Sequence, residues 1–66
     1  MKVQINALNK TFSIFNEYRN QWETSNWFES GVDNEAGDAQ TDDDLTLEDA
    51  IILAEDREWD YEVVGK

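Results

Sequence analysis

Val3 and Ile5 alternate with Lys2, Gln4 and Asn6, the period-two pattern of a strand that buries one face. Thr11 to Asn16 (TFSIFN) is rich in β-forming residues, with Phe12 and Ile14 alternating, and Asn9-Lys10 between the two runs is turn material. Together they predict a β-hairpin over residues 2–16. A competing reading starts a helix near Ser13, because Ile14, Phe15, Tyr18 and Trp22 also fall on one helical face. Gln21 to Glu29 (QWETSNWFE) reads as a further strand, or as a short hairpin turning at Thr24-Ser25-Asn26.

From about residue 30 to 44 apolar residues thin out, while Gly31, Asn34, Gly37 and a run of acids take over. That stretch reads as a loop, longer than most connections, and loops of this length are commonly functional. The next segment carries the clearest signal. Thr46 is an N-cap with Asp49 three residues on, a capping box weakened by Asp in place of Glu or Gln. Leu45 before the cap and Ala50 after it form a hydrophobic staple. Leu47, Ala50, Ile51 and Ala54 make an apolar stripe widened by Leu53, and Glu48, Asp49, Glu55 and Asp56 lie elsewhere. Acids in the first turn and Arg57 at the end suit the helix dipole. Trp59 to Val64 alternates again, giving a last strand. The chain is thus predicted to be a single α+β domain, residues 1–66. A small antiparallel sheet of three to four strands carries one helix, about 46–57, on one face, with the acidic loop at about 30–44. No internal repeat stands out.

A chain of 66 residues buries only about 60% of the surface it exposes when unfolded, and no cysteine is present to staple it. Its eight aromatics, three of them Trp, are the expected source of a core. Trp22, Trp27 and Trp59 are expected in or at the edge of that core, with an exposed interface anchor as the other role open to one of them. The absence of His and Cys removes the usual general base and the thiol nucleophile, and Ser13, Ser25 and Ser30 have no base partner. A non-enzymatic protein is expected. Asp33-x-Glu35-x-Gly37 and Asp38-x-Gln40-x-Asp42 alternate oxygen ligands as a calcium loop does. Neither has Gly at the sixth position, and the twelfth is Asp44 or Asp49 where a bidentate Glu belongs. A calcium-binding module is therefore the weakest alternative, and no metal or cofactor is expected.

Charge changes the picture most. The chain holds 16 Asp and Glu against 5 Lys and Arg, a net −11. Residues 1–28 sum to +1, whereas residues 29–62 carry 14 carboxylates and only Arg57 in opposition. Such asymmetry points to a directed electrostatic surface, and it makes nucleic acid and anionic membrane poor direct partners. Duplex DNA carries one negative charge per ~1.7 Å of axis, so 14 carboxylates equal the charge of about seven base pairs. A globule of this length is roughly 28 Å across, which makes the density comparable. The expected function is an acidic binding protein that mimics nucleic-acid charge and occupies a basic nucleic-acid-binding surface of another protein. Asp33, Glu35, Asp38, Asp42, Asp43, Asp44, Glu48 and Asp49 are the expected partner-binding residues. The alternatives are a solvated acidic face, a structural or assembly domain whose charge only confers solubility, and a halophile's acidic coat; the last predicts evenly spread acid. No apolar run approaches the ~18 residues of a membrane span, and Met1 to Asn6 lacks a signal peptide's apolar stretch, so the expected location is cytoplasmic.

With these residues in view, the chain resembles the small acidic inhibitors that bacteriophages direct against host nucleic-acid machinery, including DNA-mimicking anti-restriction and anti-CRISPR proteins. Leu45 to Glu55 (LTLEDAIILAE), followed by Tyr61-Glu62-Val63, is also similar in pattern to the short podophage inhibitor of bacterial RNA polymerase. The likeness covers about a third of the chain. The N-terminal half departs from that inhibitor, and its prominent basic residues are largely missing here, so no functional residue carries over. What the resemblance implies is a class of partner: a host CRISPR effector, nuclease, RNA polymerase or nucleoid protein, met in the host cytoplasm.

Overall fold

A computed structural model of the chain describes residues 2–65. Its elements follow in the order β1 (Lys2–Asn6), β2 (Thr11–Asn16), β3 (Gln21–Asn26), a 3-10 turn (Asp42–Asp44), α1 (Leu47–Asp56) and β4 (Asp60–Val64). The fold is α+β: one four-stranded sheet in the order β3-β2-β1-β4, with one helix. The hairpin over 2–16 forms, pairing Val3 with Ile14 and Ile5 with Phe12. No helix starts at Ser13. Ile14 stays on the face of Val3, while Phe15 turns to the opposite face and pairs with Trp22. β3 runs straight through Thr24-Ser25-Asn26, and the turn comes after it, at residues 27–31.

One expectation needs correcting. The sheet is mixed, because β4 lies parallel to β1, from Lys2↔Asp60 to Asn6↔Val64. Alternation at 59–64 marks a strand but says nothing of its neighbour's direction. Here the loop and α1 act as the long crossover that a parallel pairing requires, so β4 enters beside β1 running the same way.

The first two corners of the antiparallel strands share one design. Asn6, Asn16 and Asn26 each close a strand, ten residues apart, and each is followed by a turn. The Asn6 side-chain oxygen accepts from the Asn9 N–H, and that of Asn16 accepts from the N–H groups of Tyr18 and Arg19. Lys10 and Asn20, both at φ 54°, then turn the chain back in left-handed conformation. Asparagine suits this place because its short amide satisfies backbone donors two or three residues on. The repeat is therefore in the corners, where the apolar pattern does not reveal it.

α1 starts as its sequence predicts. The Thr46 hydroxyl accepts from the Asp49 N–H while the Asp49 carboxylate accepts from the Thr46 N–H. At the other end Glu58 sits at φ 59°, Trp59 N–H reaches the Ala54 carbonyl at 2.9 Å, and Glu58 N–H reaches that of Glu55 at 3.1 Å. This is a Schellman closure with Glu where Gly is usual.

The core lies between α1 and one sheet face. Val3, Ile5, Phe12, Trp27, Val32, Leu45, Ala50 and Ala54 are buried in it. Ala50 and Ala54 are fully buried on α1, where small side chains let the helix sit down on the sheet. Leu47, Ile51 and Leu53 pack half-buried around them. Trp27 is fully buried, with its indole N–H donating to the Thr11 carbonyl at 3.0 Å. Trp59 lies at the core's edge, edge-on to Phe12 at 5.6 Å, and Trp22 is exposed. Among the described residues no layer covers the opposite sheet face, which is finished by cross-strand pairs: Phe15 against Trp22 at 5.3 Å, Ser13 hydroxyl with Thr24 hydroxyl, and Gln4 amide to Glu62.

Candidate acidic interface

The acidic loop leaves β3 under tight local control. Trp27, anchored in the core, accepts at its carbonyl from Ser30 and Val32, and buried Val32 brings the chain back to the helix side. From there the acids themselves organise the backbone. Asp33 Oδ1 accepts from the Asn34 and Ala39 N–H groups, and Asp38 Oδ1 accepts from the Asn34 side-chain amide. Asp42 Oδ1 takes the Phe28 N–H at 2.9 Å and its carbonyl takes Lys10 Nζ at 3.1 Å, tying the loop to the first hairpin's corner. Asp44 Oδ2 accepts from Gln40 and Thr41 and caps the 3-10 turn. Asp49 caps α1.

The eight predicted partner-binding acids therefore divide. Asp33, Asp38, Asp42, Asp44 and Asp49 hold the chain's own amides. Glu35, Asp43 and Glu48 are exposed and make no hydrogen bond among the described residues. Short Asp side chains reach nearby backbone donors in turns and caps at Asp33, Asp44 and Asp49, and Asp42 reaches across to Phe28, whereas Glu35, Glu48 and Asp43 stay exposed. The expected set left out the exposed acids Glu29, Glu55, Asp56, Glu58, Asp60 and Glu62, which belong to the same run. It also missed the structural role of Asp44, although Thr41-x-x-Asp44 repeats the Thr46-x-x-Asp49 pattern five residues earlier.

The two cations nearest this surface are engaged locally. Lys10 reaches the Asp42 carbonyl, and the Arg57 guanidinium lies over the Trp59 ring at 5.2 Å, beside Gly31. Two titrations are displaced. The N–H groups of Gln40 and Thr41, helped by Lys10, hold the Asp44 carboxyl below the ordinary carboxylate range. The Tyr61 hydroxyl is pushed up because it donates to Glu55 at 3.0 Å and must ionise beside that carboxylate.

The signs are opposite. The Asp44 contribution to stability is complete above the ordinary carboxylate range and is lost as pH falls through its lowered value; that of Tyr61 is complete below the ordinary phenol range and is lost as pH rises through its raised value. Both contributions are complete between those two limits, so thermal stability is expected to be level near neutral pH and to fall as either limb is entered. At neutral pH the melting temperature should rise from about 20 to about 300 mM salt, as screening shortens to well under the molecule's size. Melting curves of the native chain and Asp44→Asn check this. The native chain should lose stability more steeply below about pH 4 than the variant. A melting temperature that falls with salt, or identical acid limbs for the two proteins, contradicts the account.

Among the described residues no cluster of three metal-ligating side chains gathers, and no helix is long and apolar enough to cross a membrane. No protein-family profile, curated protein or solved structure matches this chain.

Proposed function

We propose that this protein is a non-enzymatic, acidic inhibitor that occupies a basic nucleic-acid-binding surface of a partner protein by presenting carboxylates where that surface expects phosphates. The observation behind the reading is the segregation of charge: 14 carboxylates in residues 29–62, against one Arg that lies over Trp59. The loop that carries many of them is ordered by its own Asp side chains, so part of the array is fixed before any partner arrives, which lowers the entropic cost of binding. The molecule is 36 Å long, and a duplex of that length carries about 21 charges, so the acids supply roughly two thirds of that density. The phage-inhibitor class that the C-terminal third resembles belongs to the same proposal. The competing reading, an acidic assembly domain whose charge only solubilises it, draws on the five acids already engaged with the chain's own amides.

The test follows the division of the acids. Neutralising Asp42 and Asp44 would loosen the loop, so the informative variant is Glu35→Gln, Asp43→Asn and Glu48→Gln together. Exposed ion pairs are each worth only ~0–1 kcal/mol, and single changes should do little. The triple variant is expected to keep its melting temperature, slow association with a captured basic partner severalfold and flatten the salt dependence. The partner's own nucleic acid should compete with the protein for one site. Simultaneous binding of both without mutual weakening would exclude charge mimicry and leave the assembly reading.

A further inference from the structure

We infer that the free edge of β3 is a self-association site, at which a second copy of this chain adds its own β3 antiparallel to the first and extends the sheet to eight strands. The two sheet edges are unlike. β4 carries Asp60 and Glu62, both exposed, and acids along an edge discourage pairing with another strand. β3 (QWETSN) has no Pro, Gly, Lys or Arg, pairs with β2 without a bulge over all six residues, and is exposed at every position but Ser25. Glu23, whose carboxylate accepts from the Asn16 side-chain amide, is its one charge against two on β4, so this edge keeps fewer of the devices that normally blunt one.

Its backbone groups point the right way. Trp27 N–H donates to the Lys10 carbonyl, so Lys10 and Trp27 form a bonded pair. Bonded and non-bonded pairs alternate in an antiparallel ladder. Ser25 and Glu23 therefore bond inward to Phe12 and Ile14, and the N–H and C=O groups of Trp22, Thr24 and Asn26 face outward. The Asn26 carbonyl is already taken by Ser30, through its N–H and its hydroxyl. A twofold axis at Thr24 sets Thr24 opposite its own copy and Trp22 opposite Asn26, and makes four new backbone bonds. The same axis places Glu23 opposite Ser25. Moving the axis to Glu23 also makes four bonds but sets the two Glu23 carboxylates face to face, which is unfavourable.

Charge favours this edge over any other meeting of two such acidic chains. β3 lies in the half of the sequence that sums to +1, so the copies join through their least charged parts while the 14 acids of residues 29–62 belong to the other half of each chain. On the open face each copy brings its exposed Trp22, packed on Phe15, to the seam. This inference is independent of the proposed function.

The native chain in moderate salt, followed by sedimentation up to about 1 mM, is expected to pass from 7.7 kDa to twice that mass. Thr24→Lys puts two like charges at the axis and should weaken association by about tenfold or more while leaving the dilute-solution melting temperature near that of the native chain. Because the chain has no cysteine, Thr24→Cys supplies a clean register probe. Opposed bonded residues lie ~5.5 Å apart at Cα, within disulfide reach, so mild oxidation should link two copies through position 24. Trp22→Cys should link poorly. A single monomer mass at all concentrations, association of Thr24→Lys equal to that of the native chain, or faster linkage at position 22 than at 24 would overturn the inference.

Discussion

Trp27→Ala is expected to leave most of the population unfolded at room temperature. Trp27 is among the largest fully buried side chains, it meets Phe12 with ring centroids 6.4 Å apart, and its indole N–H holds the Thr11 carbonyl. Truncation removes that burial, opens a cavity and loses the indole hydrogen bond, at a cost of roughly 3–5 kcal/mol. A small domain with no disulfide sits at the low end of the usual ~5–15 kcal/mol of stability, so little remains. The effect also spreads, because the Trp27 backbone starts the acidic loop through Ser30 and Val32. Circular dichroism and a denaturant titration check the result. A midpoint within experimental error of the native one would mean that Trp27 is not a core residue.

Ile5→Ala should be the next most damaging change. Ile5 lies on an interior strand, fully buried, with Phe12 and Val63 opposite it on either side. The expected loss is about 2–5 kcal/mol, because strands on both sides and a helix above leave little room for collapse around the missing atoms. Ile52→Ala is the internal comparison. That side chain is 62% exposed on α1, and its loss should stay within about 0.5 kcal/mol. Similar losses for the two would contradict the placement of α1, since it is the helix that turns Ile52 outward and seals Ile5 in.

These contrasts also show what could be read from the chain alone. The α+β class and the one helix were legible, because Thr46, Asp49 and the stripe from Leu47 to Ala54 are local signals. The hairpin was legible for the same reason. The direction of β4 was not, since parallel pairing with β1 depends on where a long crossover lands. The stripe was legible in its members, but which of them sit deepest was not: Ala50 and Ala54, weak in hydrophobicity, are the buried pair, while Leu47 and Ile51 are half-buried. Of the candidate interface, the charge and its asymmetry were legible, but the division of labour among the acids was not. Whether an Asp caps a turn or faces a partner depends on backbone donors that only the folded loop brings within reach.

The parallel pairing sets the order in which the sheet becomes complete. β1, β2 and β3 join through corners only a few residues long, so their contacts are cheap to close in chain entropy. The β1–β4 pair joins residues such as Gln4 and Glu62, 58 positions apart, and has no favourable contact until the loop and α1 are in place. Until then β1 is an outer strand with Val3 and Ile5 on it, the most apolar edge that the sheet ever shows. The last strand to arrive is also the one with acids on its rim, so completing the fold replaces a strand liable to stick to neighbouring chains with one that repels them.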